Sequence, residues 1–130
     1  MFKSTGYLRY YEDPLKLIVS VDEEICRYYR CSVPPVTKLS KQKYPAHISV
    51  VRKIVPPNMS CWRKYQNCRV RFEYEHYVYN DDRYWWLNVF SKELEAIRIE
   101  LGLRPYGGAT MSPNGAHIFH ITVGNTKEKR

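Results

Sequence analysis

Leu15–Val21 sets apolar side chains at every position except Lys16 and Ser20, and so dense a run reads as a buried strand. Ser20-Val-Asp-Glu23 has the spacing of a capping box. Glu23–Arg30 then reads as a short helix opened by acids and closed by bases, stopped by Pro34 and Pro35. A basic loop, Lys38–Lys43, leads into a β-branched run, Pro45–Val51, which Pro56 and Pro57 break. Arg69–Tyr79 alternates as a half-buried strand does. Val70, Phe72, Tyr74 and, by parity, His76 share one face, with Arg69, Arg71, Glu73 and Glu75 on the other. Asn80-Asp81-Asp82 predicts a hairpin turn into Arg83–Phe90. Ser91 is placed to cap a helix whose Leu94, Ile97 and Leu101 form one stripe, with Gly102 at its C-cap. A turn-rich loop, Pro105–Gly115, precedes the last strand, Ile118–Val123. The expected order is β-α-β-β-β-α-β, an α+β chain.

At 130 residues the chain is expected to form one domain, 1–130, with 125–130 as a flexible tail ending in the charge cluster Lys127–Arg130. Composition changes the picture in two respects. Twelve tyrosines and three tryptophans supply flat apolar faces with polar tips. A formal charge of +8 favours polyanionic partners such as nucleotides or RNA. Cys26, Cys31, Cys61 and Cys68 contain no CxxC pair, so a zinc ribbon is unsupported and free thiols in a reducing cytosol are expected. No apolar leader opens the sequence and no segment is long enough to span a membrane. Nothing in it calls for an obligate protein partner.

The candidate chemistry lies in two strings, His47-Ile48-Ser49 and His120-Ile121-Thr122, each inside an apolar, β-branched run. Residues i and i+2 of a strand share a face, so each imidazole projects beside its own hydroxyl while Ile48 and Ile121 point into a core. Histidine titrates near neutrality, so one of a pair can accept a proton while the other donates one. Cleaving a phosphodiester needs both acts, at the nucleophile and at the leaving oxygen. Ser49 and Thr122 can hydrogen-bond the non-bridging oxygens, where charge gathers. There is no aspartate–histidine cluster and no Walker-type glycine loop, so the expectation is chemistry without metal or cofactor. His76 and His117 do not repeat the pattern and are expected to be structural or solvent-exposed. Ser91 and the cysteines lack a base at recognisable spacing.

These paired motifs resemble those of the two-histidine (2H) phosphoesterase superfamily. That group includes 2′,3′-cyclic phosphodiesterases, 2′-5′ RNA ligase-like proteins and RNA-trimming exonucleases. The strings Gly6–Asp13, Lys43–Arg52, Tyr84–Val89 and Phe119–Asn125 are similar to a phage branch, sometimes labelled RNA-repair-like, whose members are anti-CBASS nucleases. The resemblance implies a single bilobal α+β domain, with antiparallel sheets and flanking helices around a central cleft. It also implies metal-independent cleavage of the cyclic di- and trinucleotides that signal bacterial defence, in the host cytoplasm. Carried onto this chain, His47 and His120 become the acid–base pair, in either order, and Ser49 and Thr122 the phosphate-binding hydroxyls. The motif serine departs from the commoner threonine, and the chain stops soon after Asn125, where some relatives carry a longer segment over the ligand. For the bases, Trp86 shares parity with Tyr84 and Asn88, away from Trp85, and is a stacking candidate. Tyr10 and Tyr11 are candidates for a ring over the cleft. An RNA-end phosphodiesterase or 2′-5′ RNA-processing enzyme, and a non-catalytic nucleotide- or RNA-binding module, are the competing readings.

Overall fold

Alternation of apolar and polar residues builds most of the protein, because each strand buries one face and leaves the other half-covered. The computed structural model describes residues 1–33, 37, 39–105 and 119–126. Its strands are β1 (Phe2–Tyr11), β2 (Lys16–Ser20), β3 (His47–Arg52), β4 (Arg69–Asn80), β5 (Tyr84–Phe90) and β6 (Phe119–Asn125). Helix α1 (Glu23–Ser32) lies between β2 and β3, and α2 (Lys92–Glu100) between β5 and β6. A 3-10 turn, Met59–Cys61, interrupts the long β3–β4 connection. His117, Pro34, Pro35, Lys38, most of the turn-rich loop before β6, and Lys127–Arg130 lie outside the described residues.

The expected bilobal domain with helices flanking a cleft is not what forms. Six antiparallel strands close on themselves in the order β1-β2-β3-β6-β5-β4, with two short helices packed on the wall. The chain runs twice through the same order, strand–strand–helix–strand. The two runs meet at two seams rather than standing apart. At one seam β1 pairs β4 from Phe2–Tyr74 to Tyr7–Arg69; at the other β3 pairs β6 at Ile48–Ile121. Pairing at both seams leaves neither run a free sheet edge, so a single closed wall results.

β1 was not anticipated, because Gly6 interrupts its alternation and tyrosines fall on both faces. The glycine is where the wall is tightest. A Cβ on Gly6 would stand 2.5 Å from the Ser20 carbonyl oxygen and from Val19 Cγ1. The close approach of β1 to β2 therefore needs a residue without a side chain there.

The core lies on one face of the wall. Leu8, Leu17, Val19, Ile48, Leu87, Val89, Ile121 and Val123 are fully shielded, and Cys26 and Tyr29 of α1 and Leu94 and Ile97 of α2 complete the cluster. Each such aliphatic side chain contributes about 1.5–3 kcal/mol by leaving water. The helices have sound local reasons to form. Asp22, not Ser20, caps α1, its carboxylate accepting from the Glu24 N–H at 2.9 Å. Ser91 caps α2, its hydroxyl accepting from the Leu94 N–H at 3.2 Å. Gly102, at φ 85°, closes α2 with N–H bonds from Gly102 to Ile99 and from Leu103 to Arg98, both 2.9 Å. His76 leaves the core face as β4 shifts register between Tyr74 and Val78, and it is exposed. Asn125 and Thr126 of the expected tail are tied down: Asn125 exchanges backbone bonds with Ser40, and the Thr126 N–H reaches the Arg83 carbonyl. All four cysteines are free. Among the described residues no helix is long and apolar enough to cross a membrane.

Candidate active site

The two histidine motifs lie on adjacent strands. β3 and β6 run antiparallel with Ile48 opposite Ile121. One step either way along that register sets His47 beside Thr122 and Ser49 beside His120. The motifs thus interlock head to tail, each hydroxyl next to the other motif's histidine. Ile48 and Ile121, both fully buried, face the core and fasten the pair. All four polar side chains are on the opposite face of the wall and partly exposed.

The two histidines are not electrostatically equivalent. His47 Nδ1 lies 2.8 Å from the Pro45 carbonyl oxygen. A carbonyl only accepts, so Nδ1 carries a proton, leaving Nε2 as the nitrogen available for transfer. The His120 pKa is pushed down to about 4, first by burial and then by the charges of His47 and Arg52. His120 is therefore neutral at pH 7, the protonation state that a general base requires.

Strand β5 supplies the next row. Asn88 pairs with His120 and Trp86 with Thr122. The Trp86 indole N–H donates to Asn88 Oδ1 at 3.1 Å, and Asn88 Nδ2 donates to Glu75 Oε1 at 3.0 Å. The Tyr79 hydroxyl donates to the same carboxylate oxygen at 3.2 Å, and the Tyr79 ring stacks on Trp86 at 6.3 Å and 24°. The network continues the row from the histidines across two strands. Asn88, Glu75 and Tyr79 were not among the expected site residues. The available signal was Asn88, a lone amide within the apolar and aromatic run Tyr84–Phe90.

The aromatic candidates separate. Trp86 stands beside Thr122, but only 3% of it is exposed because Tyr79 covers it. Tyr10 turns to the core face, where it meets Trp62 edge to face at 4.9 Å, and burial pushes its phenol up to about 12. It is not brought to the histidines. Tyr11, one residue on, is exposed and pairs with Lys16, whose ammonium lies 5.1 Å from its ring centroid.

Helix α1 borders the other end of the pair. A shallow depression, open to solvent, is lined by Glu23, Cys26 and Arg30 of the helix, by Lys41, Gln42, Tyr44, Pro45 and Ala46 of the loop, and by His47 and Thr122. The helix is pinned there: Arg30 donates to the Val123 carbonyl at 3.0 Å, and Glu23 accepts from the Ala46 N–H at 2.6 Å. Among the described residues, no group of three or more His, Cys, Asp or Glu side chains is gathered as a metal site would require. Compared with protein-family models, with curated proteins and with solved structures, the chain matches none.

Proposed function

We propose that the chain is a metal-independent phosphodiesterase that cleaves the 3′-5′ linkages of cyclic di- and trinucleotides, with His47 and His120 as its acid–base pair. The observation that carries the chemistry is the head-to-tail interlock of the two motifs, which puts two imidazoles and two hydroxyls around one spot. The substrate class rests on the resemblance to the phage anti-CBASS branch, and destroying such signals would disarm the defence that they trigger.

The inequivalence of the histidines gives each a role. His120, neutral at pH 7, takes the proton of the ribose 2′-hydroxyl as its oxygen attacks phosphorus. His47, in its charged form, delivers the Nε2 proton to the departing 5′-oxygen, while Nδ1 stays held by the Pro45 carbonyl. Ser49 and Thr122 donate to the non-bridging oxygens. The 2′,3′-cyclic phosphate formed is then opened by water with the roles reversed, leaving a 3′-phosphate end.

The test offers fresh protein in EDTA a 3′,3′-cyclic dinucleotide, a cyclic trinucleotide and an RNA ending in a 2′,3′-cyclic phosphate. Cleavage of the cyclic oligonucleotides, lost in His47→Ala and His120→Ala, is expected. No cleavage of any substrate would sink the enzymatic reading, and a preference for the RNA end would sink the substrate class alone.

A further inference from the structure

Tyr11, Lys16, Lys43, Tyr44 and Arg52 form a cationic, aromatic patch beside the histidine pair. Lys16 and Arg52 are register partners on β2 and β3. Beyond a register shift between Leu17 and Ile18 the same two strands pair Ile18 with Ser49 and Ser20 with His47, and Lys16, Ile18 and Ser20 alternate onto one face of β2. Lys16 is thus on the face that carries the histidines. Its ammonium lies 5.1 Å from the Tyr11 ring centroid and 5.9 Å from that of Tyr44, and Lys43 approaches Tyr44 from 5.8 Å. Arg52 is near enough to His120 for its charge to oppose protonation there. Among the described residues, none of these three cations has a carboxylate at ion-pair distance, whereas Arg27, Arg63, Lys64 and Arg71 each do. Like charges gathered without an acid are unfavourable alone and are relieved by an anion.

We propose that Lys16, flanked by the rings of Tyr11 and Tyr44 and backed by Arg52, binds a second phosphate of an oligonucleotide whose first phosphate sits between the histidines. This rests on the phosphodiesterase reading and adds that the enzyme selects substrates by phosphate number. Two residues along a strand separate the Lys16 row from the Ser49–Ile18 row, about 7 Å. That is the spacing of one nucleotide step. Tyr44 is 64% exposed and Tyr11 42%, so both keep ring surface for a base or sugar. Lysine suits the task, being a point charge on a long stem that follows a phosphate without fixing its orientation.

The experiment compares Lys16→Gln with wild type in the full chain on two substrates with the same linkage and bases. These are 3′,3′-cyclic di-AMP, with two phosphates, and the dinucleoside monophosphate ApA, with one. The expected result is about a tenfold loss in kcat/KM for cyclic di-AMP, carried by KM, with less than about a twofold change for ApA. Tyr44→Leu should also weaken cyclic di-AMP selectively, and thermal melts check that both variants are folded. Binding of cyclic di-AMP and ApA to His120→Ala, with and without Lys16→Gln, is measured alongside. An equal loss on both substrates, or no loss on either, would overturn the second-phosphate subsite while leaving the catalytic pair intact. If wild type cleaves neither but Lys16→Gln still weakens binding of cyclic di-AMP alone, the catalytic reading falls and the subsite stands.

Discussion

Replacing His120 with glutamine should make the protein less sensitive to acid, and the size of the effect follows from its site. The native pKa is about 4 against 6.5 for an unperturbed histidine. Between these values the unfolded chain binds a proton that the folded chain refuses, so stability falls as pH drops through the window. Above 6.5 both states are neutral at this position; below about 4 both are charged, and the slope vanishes at each end. At about 1.4 kcal/mol per pKa unit the ceiling on the loss is about 3 kcal/mol. That is a large fraction of the 5–15 kcal/mol typical of a domain. Urea unfolding at pH 7, 6, 5 and 4 measures it, with His120→Gln run beside wild type so that carboxylates and the other histidines cancel. Wild type should lose up to about 3 kcal/mol more than the variant across the series. A wild-type-minus-variant gap that stays flat from pH 7 to 4, or an NMR titration of His120 centred near 6.5, would refute the assignment of His120 as the neutral partner. In catalysis the same depression keeps the base competent well below pH 6, so the acid limb of kcat/KM should fall late.

Gly6→Ala should cost about 1–3 kcal/mol, because the added methyl meets a backbone oxygen that cannot rotate away, and a thermal melt reads the loss directly. Ser91→Ala removes both the Leu94 cap and the bond to the Arg71 carbonyl, and should cost about 1–2 kcal/mol in urea without altering the far-UV spectrum of the folded state.

Local signals carried most of the elements. Alternation in Arg69–Tyr79, the acid-to-base polarity of Glu23–Arg30 and the Ser91–Gly102 bracket around α2 are properties of neighbouring residues, and each formed near its expected bounds. Motif parity was equally local, and His47, Ser49, His120 and Thr122 do share one face. What could not be read were features set by distant strands. Barrel closure depends on β1 meeting β4, and Gly6, the residue that lets β1 lie close against β2, looks like a strand breaker in sequence. Tyr10 and Tyr11 were indistinguishable as strings, yet a single parity step sends one into the core and the other to the surface. The register shift in β4 likewise displaced His76, since a bulge leaves no mark in composition. The inequivalence of the histidines was hidden too, because it arises from what surrounds each ring rather than from two nearly symmetric motifs.

The two seams of the wall make it a hoop, and a hoop deforms differently from an open sheet. An open sheet hinges about one pair of strands at little cost, so two histidines on neighbouring strands could drift apart. Here any widening between β3 and β6 must be matched by strain elsewhere around the closed wall, and at Gly6 β1 already lies too close to β2 to admit a side chain. The gap between the two proton carriers is consequently set when the chain folds, before a substrate arrives. The ordering entropy is met by folding rather than by binding, and the nucleotide has only to fit a spacing that is already there.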